Sequence, residues 1–545
     1  MAKIVFPRKE IEKQIKITKE VEEKISMLGA HLESLTDEEI EVEILPNRPD
    51  LFSMQGFIRA LKAFLNKEPG LVKYKVNPPE KDFKVRIDKS VKDIRPYTAC
   101  AIIKGLKFDD AKIKEIIDIQ EKMHATFGRN RKKMALGVYP LEKITLPIRY
   151  EAKKPHEIKF IPLEATEEMT GLQILQRHPT GREYAYLLEG KPLFPIFVDA
   201  KNKVLSMPPI INSNETGKIT NETKDIFIEV SGFDLEAQKK ALNILVTTLA
   251  EMGGRIYSMD VEYEKPIGKI QTPDLSPSKI KISLENINKI LGLNLEEKDL
   301  EKLLPRMGYD YKKGVVSIPS WRTDILHEVD IIEDIAIAYG YDNLTPEIPK
   351  VATIGEITKE NKINSKISEI LAGLTYLETS SLHLIKKDEI KDKEQSKDKI
   401  EVLDSKSEYK ILRPNLLIPS LRIFSENRDN EYPQRTFEIG KVFSLDKNEE
   451  TGIKESFHLL IASSPGNFTE TKQTLDYLFK MLRLEYKLKE TSKKELIEGR
   501  TGAIIINNKE VGFIGEVHPQ TLNDWNIKMP VSLIEISLDE IYDLL

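Results

Sequence analysis

The period of the apolar positions changes along the chain, and each change marks an element. In "EIEVEILPNRPD" apolar and acidic residues alternate, which predicts a strand with Val42 and Ile44 on one face. A Pro-Asn-Arg-Pro-Asp turn ends it. "LFSMQGFIRALKAFLN" then sets Phe57, Ile58, Leu61 and Phe64 at helical spacing, with Ser53 as the expected N-cap and Pro49 blocking helix upstream. Asn47 and Arg48 read either as turn chemistry or as a binding pair. "TACAIIKGLKF" reads as a strand, followed by a helix around residues 110 to 126. "DIFIEVSGFD" (225–234) predicts a strand with Ile226, Ile228 and Val230 on one face. A helix from about 235 to 252 ends at Gly253-Gly254.

Further along, "KIQTPDLSPSKIK" (269–281) is a Pro/Ser-rich connector and a natural boundary. The stretch 275–345 reads strand, helix, helix, strand, with two short helices flanking Gly292, a pairing found in winged-helix modules. "KKDEIKDKEQSKDK" (386–399) is expected to be a surface loop. "LRPNLLIPSLRIFSENR" (412–428) predicts a helix and "RTFEIGKVFSL" (435–445) a strand. "TGAIIINNKEVGFIGEV" (501–517) predicts a hairpin turning at Asn507-Asn508. The expected class is α+β and multidomain. The expected domains are an N-terminal α+β domain (1–88), a longer mixed domain (89–268), a small winged-helix-like helical module (273–346) and an antiparallel sheet domain (355–545).

Three polar patches interrupt these periods. "GRNRKKMALGVY" (128–139) is a solvated basic turn or a phosphate contact through Arg129 and Arg131. The loop in "VLSMPPIINSNETGKIT" carries Asn212, Ser213, Glu215 and Thr216, residues that commonly form turns. "SIPSWRTDILHEVDIIEDIAIAYGYDNL" (317–344) crowds Asp324, Asp330, Glu333 and Asp334 together. At about 100° per residue the last three fall on one side of a helix, with Val329, Ile332, Ile335, Ala336 and Tyr339 opposite. Two readings stand: a solvated acidic face near a helix N-terminus, or a site for a hard cation such as Mg²⁺, which takes carboxylate oxygens.

At 545 residues the chain is too long for one core. It is 40% hydrophobic and 31% charged, a globular profile. Its net charge of −5 means that any RNA contact must come from local patches. A single cysteine, Cys100, excludes an internal disulfide and a cysteine metal site, and fits a reducing cytoplasm. The eight histidines form no HExxH. The N-terminus shows no cleavage pattern, and no window approaches eighteen consecutive apolar residues, so no membrane span is expected. There is no Walker loop, no GxGxxG opening a helix and no GxSxG elbow.

Six stretches in order are similar to the β subunit of phenylalanyl-tRNA synthetase in its archaeal and eukaryotic layout. They are "NRPDLFSMQGFIRAL", "HATFGRNRKKMALGVYPLEKI", "LSMPPIINSNETGKIT", "IPSWRTDILHEVDIIEDIAIAYGYDNL", "LRPNLLIPSLRIFSENR…RTFEIGKVF" and "GFIGEVHPQTL". The resemblance implies an α partner in a two-α, two-β assembly, with phenylalanine and ATP held at the α subunit and tRNA(Phe) as substrate, in the cytoplasm. It implies Mg²⁺ on Asp324, Asp330, Glu333 and Asp334, at the junction with α. For 89–268 it implies an editing domain that hydrolyses Tyr-tRNA(Phe), with Asn212, Ser213 and Asp234 as site residues. For 355–545 it implies a degenerate, inactive class II synthetase domain. "TFEIGKVF" is similar to the second class II motif and the third is absent, so Arg435 and Glu438 are expected to be structural. One departure is Tyr139-Pro140, where relatives often carry His-Asp. The alternatives are an RNA-binding scaffold without editing, and a metal-dependent hydrolase using the acidic cluster.

Overall fold

Residues 2–390 and 399–545 are described by a computed structural model. They form two compact units, 1–348 and 349–545. Most of the charged stretch expected as a surface loop, residues 391–398, lies outside the described residues. Among the described residues no helix is long and apolar enough to cross a membrane.

The first unit opens with a three-stranded antiparallel sheet, Ala2–Pro7 and Ala30–Leu35 flanking Glu39–Ile44. Strict alternation sends Ala2, Ile4 and Phe6 inward and Lys3 and Val5 outward. The helix Met54–Phe64 follows, and the Ser53 hydroxyl caps it by accepting from the Gly56 amide at 3.0 Å. A larger mixed sheet comes next, with Ile226–Gly232 lying antiparallel between Tyr97–Lys104 and Met134–Pro140. All seven residues of Ile226–Gly232 are buried, so both of its faces are covered. The strand Lys84–Ile87 belongs to this sheet, beside Arg255–Glu262 and Ile148–Lys153, and not to the N-terminal sheet.

The helix Leu235–Glu251 is buried around much of its circumference, which marks it as a central element. One apolar core joins Phe57, Ile103, Ile244, Trp321 and Ile335, so the N-terminal, mixed and helical modules share it. In the helical module, Leu284–Leu291 ends at Gly292, whose φ of 66° is a left-handed cap suited to glycine. Three short strands and the helices Glu297–Arg306 and Glu328–Tyr339 complete the module.

The second unit is a seven-stranded sheet, antiparallel except where the short edge strand Leu377–Glu378 runs parallel to Gln434–Leu445. Alternation along Ile453–Ser464 sends Leu459 and Ile461 to one core and Leu460 and Ala462 to another. The first core is covered by Lys359–Gly373 and Phe468–Leu482, the second by Leu417–Glu426. The hairpin Leu496–Ile506 to Lys509–Val517 turns at Asn507 and Asn508, both at positive φ as a two-residue turn requires.

Candidate functional site

A cavity of about 540 Å³ lies in the mixed module, lined among others by Ser206, Asn212, Glu229, His178, His124 and Arg131. Glu229 sits in the buried strand opposite Cys100 on one side and Gly137 on the other. Burial pushes its carboxyl up to about 8, although the Arg95 charge pulls the other way. At neutral pH it is therefore the acid, able to donate. The Tyr139 hydroxyl lies within hydrogen-bond distance of Glu229 Oε1 (3.2 Å) and of Asn212 Oδ1 (3.3 Å). Tyr139 is itself kept protonated by burial.

Among the described residues, four polar atoms of cavity-lining side chains are buried with no hydrogen-bond partner: Glu229 Oε2, Ser206 Oγ, His178 Nδ1 and Arg131 Nε. The Ser206 and Ser231 hydroxyls approach Tyr139 and Glu229 without satisfying these atoms. His178 Nε2 pairs with the Leu163 carbonyl at 3.1 Å, so Nε2 carries the proton and Nδ1 is an acceptor. With Tyr139 donating to Oε1, the Glu229 proton belongs on Oε2. The cavity thus offers a donor, an acceptor and a hydroxyl within apolar walls that include Ile113, Leu136 and Ile211. Each orphan costs about 1–3 kcal/mol, which a polar ligand would offset.

The local sequence builds this arrangement. A Cβ on Gly137 would stand 2.2 Å from the Tyr139 hydroxyl and 2.6 Å from Glu229 Oε1, so glycine leaves room for both. Arg131, expected as a phosphate contact, is buried and tied to Glu121 (3.0 Å) and to the Ile210 carbonyl (2.8 Å). His124 Nε2 accepts from the Leu136 amide at 2.8 Å, and burial lowers its pKa, so it is neutral.

Of the residues suggested for this module, Asn212 lines the cavity. Ser213 is buried in the turn behind it, its hydroxyl accepting from the Glu215 amide at 3.3 Å. Asp234 stands elsewhere: it caps the helix Leu235–Glu251 through the Ala237 amide (3.2 Å) and faces Lys133 at 3.8 Å. Glu229, Ser206 and His178 were missed. The signal for Glu229 was present, since a lone carboxylate among Phe227, Ile228 and Val230 is out of place in a buried strand.

The four acids near the helix Glu328–Tyr339 are arranged differently from the expectation. Asp334 is buried, not solvated, and Val329 is 49% exposed, not packed on the core. Asp334 turns inward because of Arg322, also buried, whose guanidinium grips Asp324 with two bonds of 2.8 and 2.7 Å and Asp334 with a third of 2.7 Å, while Val329, one helical turn before Glu333, shares its outward face. Tyr309 donates to the same Asp334 oxygen. Burial alone would raise the Asp324 pKa, but Arg322 outweighs it and lowers it. Asp330 Oδ2 accepts the Leu326 and His327 amides at 2.8 and 2.7 Å, which caps the helix. Glu333 alone of the four points to solvent. No three His, Cys, Asp or Glu are grouped to hold a metal among the described residues. As arranged, the four acids do not fit a resident Mg²⁺, because an arginine already supplies the cation between two of them.

The turn "NRPD" repeats this device. Arg48 binds Asp50 with two bonds of 2.9 Å, and Asp324 is close enough to act on its charge. The Asn47 carbonyl accepts from the Thr323 hydroxyl at 3.0 Å. In the second unit, Glu438 is buried against Arg413 at 2.6 Å and accepts from Ser381, while Arg435 reaches Thr375 at 3.2 Å. Glu438 is thus bound inside the domain, and Arg435 bonds to a residue of the same unit.

Three family models match the chain in order. They are the B3/4 domain over residues 82–251, the tRNA synthetase B5 domain over 280–341, and the phenylalanyl tRNA synthetase beta chain CLM domain over 344–538. The phenylalanine–tRNA ligase beta subunit of Pyrococcus furiosus is 40% identical over 506 residues, which covers 91% of this chain and 90% of the relative. That of Archaeoglobus fulgidus is 38% identical over 532 residues, 95% of each. An N-terminal fragment of the phenylalanyl-tRNA synthetase beta subunit from Pyrococcus horikoshii superposes with a TM-score of 0.59 at 38% identity, covering 62% of this chain and all of the fragment.

Proposed function

The chain belongs to the phenylalanine–tRNA ligase β-subunit family, and from that premise we propose a double role. It partners an α subunit in ATP-dependent charging of tRNA(Phe), and it hydrolyses mischarged Tyr-tRNA(Phe) in the cavity around Glu229. The observation that carries the second role is the set of buried, unsatisfied atoms at Glu229, Ser206 and His178. A hydrophobic aminoacylation pocket rejects an added hydroxyl weakly, so phenylalanine sites admit tyrosine. A second site that hydrogen-bonds the hydroxyl separates the two well, because phenylalanine would leave its polar groups unpaired. Neutral Glu229 donates to, or accepts from, the tyrosyl hydroxyl without the cost of a buried charge. Asn212 lines the same cavity, its Oδ1 standing 3.3 Å from the Tyr139 hydroxyl. Ser213 holds the turn that carries Asn212, whereas Asp234, away from the cavity, serves as the cap of the helix Leu235–Glu251.

The first role rests on kinship and on a surface. Val329, one turn before Glu333, and Tyr341, close enough to feel its charge, are both exposed, and Leu326 (77% exposed) just precedes the helix. An apolar patch around one carboxylate suits a protein partner, here the α subunit in a two-α, two-β enzyme of the cytoplasm. The second unit serves as a class II-like domain without chemistry, phenylalanine and ATP being held by α. Mg²⁺ enters this reading only at Glu333, since Asp324 and Asp334 would have to leave Arg322 to join it.

The test is deacylation of Tyr-tRNA(Phe) and Phe-tRNA(Phe) by the enzyme co-purified with its α chain. Tyr-tRNA(Phe) should be hydrolysed and Phe-tRNA(Phe) spared. Glu229→Ala should slow the first by about 5- to 150-fold, the equivalent of one lost buried hydrogen bond. Charging with no deacylation would leave the β chain as a scaffold and remove the editing role. Failure to bind α would remove the first.

A further inference from the structure

The cavity around Glu229 has a deep end and a mouth. Glu229 is 2% exposed and lies at the deep end. Glu164, Lys218 and Ile117 also line the cavity, but they are exposed and mark its mouth. His178 belongs to the mouth, because its Nε2 donates at 3.1 Å to the carbonyl of Leu163, the residue before Glu164. The Leu163 amide in turn donates to the Asn212 carbonyl at 2.9 Å. The His178 ring is thus anchored to the turn that carries Asn212, and the Asn212 side chain meets the Tyr139 hydroxyl beside Glu229. A tyrosyl group held by its hydroxyl at Glu229 therefore presents its ester toward His178.

His178 is mounted rigidly. It joins the helices Gly171–Arg177 and Pro179–Glu183, and its amide donates to the Ile174 carbonyl at 3.1 Å. The two helices close on each other at Gly181, where a Cβ would stand 1.9 Å from that same carbonyl. The ring makes no capping bond to the second helix. With Nε2 committed to a carbonyl, Nδ1 keeps its lone pair, buried and without a partner among the described residues. The other titratable groups of the cavity are engaged or stand in solvent. Glu121 is held ionised by His124 and Arg131. His124 accepts from the Leu136 amide and faces Glu121 with its other nitrogen. Glu229 is protonated at neutral pH. Glu164 and Lys218 are open to water at the rim. The Ser206 hydroxyl has no base within hydrogen-bond distance among the described residues, so the nucleophile is water.

We infer that His178 is the general base of the deacylation, its Nδ1 taking a proton from the water that attacks the ester carbonyl. The water oxygen bonds to the carbonyl carbon as its O–H bond breaks toward Nδ1. The bond from that carbon to the ribose oxygen then breaks, and the leaving oxygen takes the proton from Nδ1. Tyrosine departs as a carboxylate after losing one proton to solvent, and the ring is neutral again. The Nε2–H bond to the Leu163 carbonyl strengthens while the ring is charged, which favours the first transfer. The inference rests on the editing reading of this cavity and names the residue that carries its chemistry.

The test is steady-state deacylation of Tyr-tRNA(Phe) across the acid and neutral range by the enzyme co-purified with its α chain, after subtraction of uncatalysed hydrolysis. His178→Gln should lower kcat about 100- to 10,000-fold and leave KM nearly unchanged. The wild-type rate should fall in acid, as a base that must be neutral requires, and the variant should lose that acid limb. His178→Ala should regain activity with added imidazole, which a merely structural role would not give. Urea unfolding checks that both variants fold. An unchanged kcat in both variants overturns the inference. So does a lowered kcat with the acid limb intact and no response to imidazole, which would leave His178 a positioning residue. A wild type without an acid limb overturns it whatever the variants do. Slowed deacylation by Glu229→Ala with normal rates in both His178 variants would spare the editing reading and remove this one. No deacylation by the wild type removes both.

Discussion

Replacing Glu229 with glutamine should make the protein more stable than the wild type in alkali, although it alters a buried site residue. Glutamine keeps the shape, the carbonyl that Tyr139 meets at 3.2 Å and a donor in place of the Oε2 proton. It cannot ionise. In the folded wild type the carboxyl titrates at about 8, against an ordinary 4.5 in the unfolded chain. Between these values the folded state holds a proton that the unfolded state has lost. Stability from this group is therefore full below about pH 4.5 and falls as pH rises through about 8. The gap corresponds to at most about 5 kcal/mol. Urea unfolding of both proteins from pH 5 to pH 9 isolates the term, because the other groups cancel in the difference. The two should agree within about 1 kcal/mol at pH 5, and the variant should lead by about 2–5 kcal/mol at pH 9. Deacylation by the variant should persist and lose its dependence on pH near 8. A stability difference that does not vary with pH would refute the reasoning, since Glu229 would then titrate alike in both states.

Gly137→Ala forces a methyl to 2.2 Å from the Tyr139 hydroxyl; it should cost about 1–3 kcal/mol and depress Tyr-tRNA deacylation, read by urea unfolding and by the deacylation rate. Arg322→Met strands two buried carboxylates and should cost about 3–5 kcal/mol in urea unfolding, with Asp324→Asn plus Asp334→Asn restoring most of it. If Arg322 is the cation of that cluster, millimolar Mg²⁺ or EDTA should leave the Tm of the isolated chain unmoved; a rise with Mg²⁺ would show that carboxylates had been released to a metal. Ser53→Ala removes a helix cap and should cost about 1 kcal/mol by the same unfolding assay.

Local pattern was legible where neighbours in sequence decide the structure. The helix after Ser53, the helix Leu235–Glu251 and the hairpin at Asn507-Asn508 follow from periodicity, capping and turn chemistry. Partners distant in sequence were not legible. Asp334 lies on the same helical side as Asp330 and Glu333, as angular spacing requires, but whether that side is wet depends on Arg322 and Tyr309. Asp234 looked like a site residue because it follows a strand end, and the helix beginning there claims it as a cap. Glu229 escaped notice because the strand was read for Ile226, Ile228 and Val230. The opposite face carries Phe227, Glu229 and Ser231, and it is covered by a second core, in which Phe227 packs with Tyr139, Tyr150 and Phe197, all distant in sequence.

The motifs that carry the family resemblance and the residues that carry the candidate chemistry are largely different sets, for a physical reason. "NRPD" and "WRTD" each fold an arginine back onto the aspartate two residues later. A buried arginine needs a bidentate acid close by, and spacing of two in a tight turn supplies one with little loss of chain entropy. Joined through Asn47 and Thr323, the two turns brace the N-terminal module against the acidic helix. This bracing spends Asp324 and Asp334 inward and leaves Glu333 outward beside exposed Val329 and Tyr341. One exposed carboxylate in an apolar setting is a weak metal site but a good docking point for a single cation on a partner. Glu333→Gln should therefore weaken association with α without changing the stability of the isolated chain. Arg322→Met should reverse that pattern, lowering stability first and association only in consequence. Equal loss of α binding and of stability in both variants would contradict this division between inner scaffold and outer contact.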